Sequence, residues 1–129
     1  MAKKKLKTPD RTNGIVLVKH PGEDWKQVTV EVQRKRGITW QTLQGLVGGF
    51  YEGLTSGYGT IVVNEDGHAL KMDPCVAVKR MHGPPLVLVG PVVVVANQFD
   101  REGMGTYRAL TPEHIESVVK SDVWLPVEG

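Results

Sequence analysis

The side chains best suited to chemistry in this 129-residue chain are one cysteine, four histidines and a scatter of acids. Cys75 would need a neighbouring base and an oxyanion hole to act as a nucleophile. Its surroundings, Asp73-Pro74 before it and Val76-Ala77-Val78 after it, are mostly apolar, so it is expected to pack as a small hydrophobe. A lone cysteine excludes an intramolecular disulfide framework and a thiolate zinc cage, and suits a reducing compartment. The histidines, at positions 20, 68, 82 and 114, lack the close helical spacing of a metal site and none adjoins the cysteine. Glu52, Glu65, Asp66 and Asp73 flank a predicted hairpin, and paired carboxylates perform acid and base chemistry. Two of them fall inside a turn, however, where a solvated side chain is the ordinary outcome. Gly45, Gly48, Gly49 and Gly53 do not lead from a strand into a helix N-terminus as a phosphate-binding loop does. They mark a helix end with close packing, although Gly48-Gly49 would also let a backbone approach a ligand. The expectation is a non-enzymatic protein with no metal and no cofactor.

Charge is more informative than catalysis. The net +2 hides an asymmetry: Met1 to Gly37 holds ten basic residues against four acids, and the remainder holds six against ten. Lys3, Lys4, Lys5 and Lys7, with Arg34, Lys35 and Arg36, can neutralise phosphates, and Trp25 or Trp40 can stack on a base. The opposing reading is a solubilising tail and a charged turn, because the aromatic residues do not interleave with the basic ones.

The elements that must position these residues follow from periodicity. A chain of this length, 40% hydrophobic and 23% charged, fits one domain. No run approaches the roughly 20 apolar residues of a membrane helix, and the basic start lacks the apolar region of a secretory signal. The protein is therefore expected in the cytoplasm and away from membranes. Residues 1 to 12 read as a flexible basic tail, with the domain over 13 to 129. Ile15–Val18 and the alternating Val28, Val30 and Val32 predict an antiparallel hairpin. A helix follows, capped by Thr39, with Trp40, Leu43, Leu46, Val47 and Phe50 on its apolar face and Gly48-Gly49 at its end. Tyr58–Val63 predicts a strand, Asn64-Glu65-Asp66-Gly67 a reverse turn, and His68–Met72 the returning strand. Asp73-Pro74 opens a short helix or loop through Lys79. Leu86–Ala96 reads as buried strand with a bend at Gly90-Pro91, and Gln98–Gly105 as an exposed loop. Thr111-Pro112-Glu113 starts a last helix whose stripe is Ile115, Val118 and Val119.

Three segments carry a resemblance. Leu43-Gln44-Gly45-Leu46-Val47-Gly48-Gly49-Phe50-Tyr51-Glu52, then Ile61-Val62-Val63-Asn64-Glu65-Asp66-Gly67, then Leu88-Val89-Gly90-Pro91-Val92-Val93-Val94 resemble a family of small proteins from phages, plasmids and bacterial genomes. Its pattern is a helix ending in Val-Gly-Gly-aromatic-x-Glu, an Asn-Glu-x-Gly turn and a late Val-Gly strand. The likeness spans residues 25 to 97 and implies an α+β domain of unknown biochemical function encoded near mobile elements. Glu52 and Asn64 match the pattern and are carried over as site candidates. Met72-Asp73-Pro74-Cys75 lacks the asparagine of the family's Leu-Pro-x-Asn segment, and Pro91 replaces a common aspartate.

Together these readings predict an α+β domain, a mainly antiparallel sheet of five or six strands with a central helix and a C-terminal helix. A homo-oligomer is expected, because the valine-rich strand in so small a domain lacks cover. The first functional expectation is a phage or mobile-element accessory protein that binds a small nucleotide-like ligand or blocks a host defence component, by analogy with small mobile-element proteins. Trp40 or Tyr51 would stack on the base, Lys79 and Arg80 would meet phosphate, and Glu52 would accept from a ribose hydroxyl. The alternative is a nucleic-acid-binding accessory protein that uses the basic N-terminal part.

Overall fold

A computed structural model describes residues 11–56, 59–99, 102 and 105–127. The fold is sheet-rich, 48% strand and 16% helix in two antiparallel sheets, which corrects the expected α+β domain built on one sheet. The larger sheet runs β2 (Lys26–Gln33), β1 (Arg11–Lys19), β7 (Val92–Phe99), β4 (Gly59–Asn64) and β3 (Tyr51–Ser56), with β8 (Gly105–Arg108) paired to the end of β7. The smaller runs β6 (Leu86–Val89), β5 (Pro74–Val78) and β9 (Trp124–Leu125). Only α1 (Trp40–Val47) and α2 (Pro112–Lys120) are helical among the described residues. No helix there is long and apolar enough to cross a membrane.

The run Val92–Val95 explains the architecture. Side chains alternate across a strand, yet all four of these valines are fully buried, so both faces of β7 must be covered. On one face Val93 and Val95 join Val16, Val18, Val62, Leu43 and Val47, beneath α1. On the other, Val92 and Val94 join Leu17, Ile61, Val63, Cys75, Leu88 and Val118, beneath the small sheet and α2. The large sheet is thus the middle layer of three, and the covering layers bury its second face. At about 25 cal/mol per Å² of apolar area buried, this double burial is the main support of the fold.

The apolar run is divided at Gly90-Pro91, where the chain turns a corner from the small sheet into the large one. Gly90 takes a positive φ of 72° and its N–H donates to the Asp73 carbonyl at 2.9 Å. A side chain there would be strained and would press on Met72.

Several local expectations change. His68–Met72 does not return as a strand. It coils in successive turns, with Leu70 N–H on the Asp66 carbonyl at 2.8 Å. Pro74–Val78, expected as helix or loop, is β5, because its apolar residues are needed beneath the large sheet. The hairpin partner of β4 is β3 before it, whose glycine and glutamate masked its strand character. Gln98 and Phe99 complete β7 rather than opening a loop. Tyr58, assigned to the start of β4, lies outside the described residues, as does most of the tail. β1 is paired from Arg11 onward. In α1 only Leu43 and Val47 are buried, whereas Trp40 is 56% and Phe50 67% exposed. Thr39 precedes α1 but gives no side-chain cap; its hydroxyl meets that of Thr42 at 3.3 Å. Thr111 does cap α2, accepting from His114 N–H at 3.2 Å. Val119 on that helix is exposed, and Trp124 fills the space beside Val118 by donating to its carbonyl at 2.7 Å.

Candidate functional site

The residues chosen from sequence divide by the period of a strand. Tyr51 and Glu52 are neighbours on β3, so they face opposite sides of the large sheet. Tyr51 packs on the α1 side. Glu52 points to the other, where it lines a cleft with Asn64, Glu65, His68 and β6. Asn64 is a structural residue: buried to 5% exposure, its amide donates to the Val47 carbonyl at 3.1 Å and its oxygen accepts from Asp66 N–H at 2.8 Å. It therefore ties the end of α1 to the turn after β4. Lys79 and Arg80 follow β5 in the small sheet, below the second face. Arg80 Nε donates to the Pro84 carbonyl at 2.7 Å. The expected set of stacking, phosphate and ribose contacts is therefore spread over both sides of the molecule.

What the fold does gather is an aromatic and cationic cleft of about 250 Å³, lined by Arg36, Trp40, Tyr51 and Tyr107 with Thr39 and Thr106. Tyr51 and Tyr107 meet edge to face, ring centres 6.4 Å apart, a favourable arrangement of their quadrupoles. Burial, with Tyr107 beside it, pushes the Tyr51 hydroxyl above its ordinary pKa, so the group is a hydrogen-bond donor at neutral pH. Tyr107 lies across β3 because Gly53 leaves a gap: a β-carbon there would stand 2.7 Å from the tyrosine oxygen and 3.0 Å from Thr60. Trp40 opens α1, and Thr39, Trp40 and Gln41 bring the first turn of the helix to the cleft wall. That turn holds no acidic residue, so the positive end of the helix dipole adds to Arg36.

Arg36 is held by a part of the structure that sequence reasoning missed. Gln33 and Gly37 close the turn with reciprocal backbone bonds of 2.7 and 2.8 Å. Gly37, at a φ of 68°, packs directly on the Tyr107 carbonyl with no room for a β-carbon. Arg108 on β8 then donates to the Gln33 carbonyl at 2.8 Å, the Arg34 carbonyl at 2.9 Å and the Thr106 hydroxyl at 3.2 Å. One planar guanidinium thus fixes the path of Arg34-Lys35-Arg36, all exposed. No signal in the sequence marks Arg108 or Tyr107, since each needs the pairing of β8 with β7 to reach its partners. Of the residues expected to bind nucleic acid, Arg34, Lys35 and Arg36 form this turn, whereas Lys3, Lys4, Lys5 and Lys7 lie outside the described residues.

Cys75 sits elsewhere. It is 4% exposed, its thiol donates to the Lys19 carbonyl at 3.2 Å, and burial raises its pKa. Such a thiol holds its proton and is a poor nucleophile at neutral pH. Among the described residues no three histidine, cysteine, aspartate or glutamate side chains gather as metal ligands.

A scan against protein-family models, a search of curated proteins and a search of solved structures each find no match to this chain.

Proposed function

We propose that this chain is a cytoplasmic, non-enzymatic binding protein for a nucleotide-like ligand, taken in the cleft between α1 and β8. The observation that carries the reading is the convergence of three aromatic side chains from three elements on one cationic side chain. Trp40 supplies an exposed ring, the Tyr51–Tyr107 pair supplies a fixed wall, and Arg36 supplies charge at the rim. A nucleobase presents a flat π face and its phosphate a negative charge, so this set matches both ends of the ligand. Arg36 takes the phosphate role first given to Lys79 and Arg80. Glu52 has no part in it, because it faces the other side of β3. The resemblance to phage and plasmid proteins supports a mobile-element setting, with action against a host defence component as one use of such binding.

Titration calorimetry against nucleoside monophosphates and cyclic dinucleotides tests the reading. Saturable binding is expected, weakened about tenfold or more by Trp40→Ala, a loss typical of one stacking partner, and weakened also by Arg36→Ala. Trp40 is exposed, so the variant keeps the fold, which circular dichroism verifies. Absence of binding across the panel overturns the proposal.

A further inference from the structure

Resting on the cleft just described, we infer that its ligand is a single-stranded nucleic acid, read by two successive bases rather than one. The second base position is Phe99. β7 and β8 pair with Asn97 opposite Tyr107 and Phe99 opposite Gly105, and directly paired residues share a face. Phe99 therefore stands on the same face of the sheet as Tyr107, at the end where β8 begins. Its ring lies against Gly105, with Cε1 3.1 Å from where a β-carbon would stand. Gly105 itself lines the cleft. The ring thus stands against a residue of the Trp40 and Tyr107 cleft, yet is 67% exposed. An exposed phenylalanine held in this way gains nothing from the core and offers a stacking surface, which every base can use.

Charge places the strand's backbone. Arg36 lines the cleft and Lys35 stands beside it, exposed, on the turn that Arg108 fixes. Phosphates accordingly run along the Arg36 side, while Phe99 takes a base. A free mononucleotide uses the cleft alone and leaves both Phe99 and Lys35 idle; a strand uses all of them.

Fluorescence anisotropy with labelled oligodeoxythymidylates of one, two, four and eight nucleotides tests the inference on the full chain. Affinity should rise about tenfold or more from one nucleotide to four, and a duplex of equal length should bind more weakly than the single strand. Phe99→Ala should abolish the gain with length while leaving mononucleotide binding unchanged, and Phe99→Tyr should restore it. Lys35→Ala should reduce the salt dependence of octanucleotide binding by about 0.7 in the logarithmic slope, the value for one phosphate on a single strand. If affinity does not depend on length, or Phe99→Ala changes nothing, the inference falls and the mononucleotide reading stands. Equal or tighter binding of the duplex also defeats it. If no probe of any length binds, the cleft reading falls with it.

Discussion

Gly53 is a position where one added methyl group reaches the cleft wall. A β-carbon there meets the Tyr107 hydroxyl and Thr60 together, so Gly53→Ala must push the tyrosine out of the cleft wall. Overpacking of this kind costs about 1–3 kcal/mol, to be read from urea denaturation, and nucleotide affinity should fall with it. Asn64→Ala leaves the Val47 carbonyl and Asp66 N–H without their partner, at about 1–3 kcal/mol for each group that stays unsatisfied. The same assay should register that loss while ligand binding is kept. Cys75 gives a pH signature. Its folded pKa is raised, so the unfolded chain surrenders the proton first, from about pH 8.5 upward. Its contribution is complete below that value and declines as pH rises toward the folded pKa. Denaturation curves between pH 7 and 10 should show stability falling for the native chain and falling less for Cys75→Ala.

At the level of elements, the basic turn depends on a strand far from it in sequence. Arg108→Ala removes the guanidinium bonds to the carbonyls of Gln33 and Arg34, and the turn should loosen. Trypsin cuts after lysine and arginine, so limited digestion of this variant should yield fragments ending at Arg34, Lys35 or Arg36 faster than the native chain does, as mass spectrometry would record. Legibility from sequence followed the same division between local and distant causes. The Val28-Val30-Val32 alternation, the Gly48 stop and the Thr111-Pro112 start are local patterns, and each marks an element that is present. β3 escaped notice because Glu52 and Gly53 dilute its propensity and only pairing with β4 extends it. The site was half legible. Tyr51 and Arg36 were recognised by type in two different readings, with Trp40 in both, because nothing in their spacing shows that β8 brings Tyr107 and the turn against α1. Glu52 was carried over from the resemblance and placed in one ligand set with Tyr51, although neighbours in a strand face opposite sides.

The molecule as a whole has two cores that share one wall. Val93 and Val95 belong to the first and Val92 and Val94 to the second, so neither face of β7 can lose its packing without exposing the back of the other. Unfolding should accordingly be a single transition. The tryptophans can verify this. Trp40 reports on the α1 side, while Trp25 and Trp124 pack together across the second core with ring centres 5.0 Å apart. A Trp40→Phe variant and a Trp25→Phe/Trp124→Phe double variant isolate the two sides, and their fluorescence transitions should match circular dichroism of the same variant in midpoint.

The central position of β7 also governs the order in which the protein can be made. Its register joins Leu17 near one end of the chain to Val94 near the other, and Ile61 to the same valine. During synthesis the β1–β2 hairpin and the β3–β4 hairpin both emerge before the strand that must lie between them. Until Val92–Phe99 leaves the ribosome, each presents an unpaired valine-rich edge. So large a share of non-local pairing places folding in the millisecond-to-second range of all-β domains, and the waiting hairpins are where a nascent chain would be caught by a chaperone or by another copy of itself.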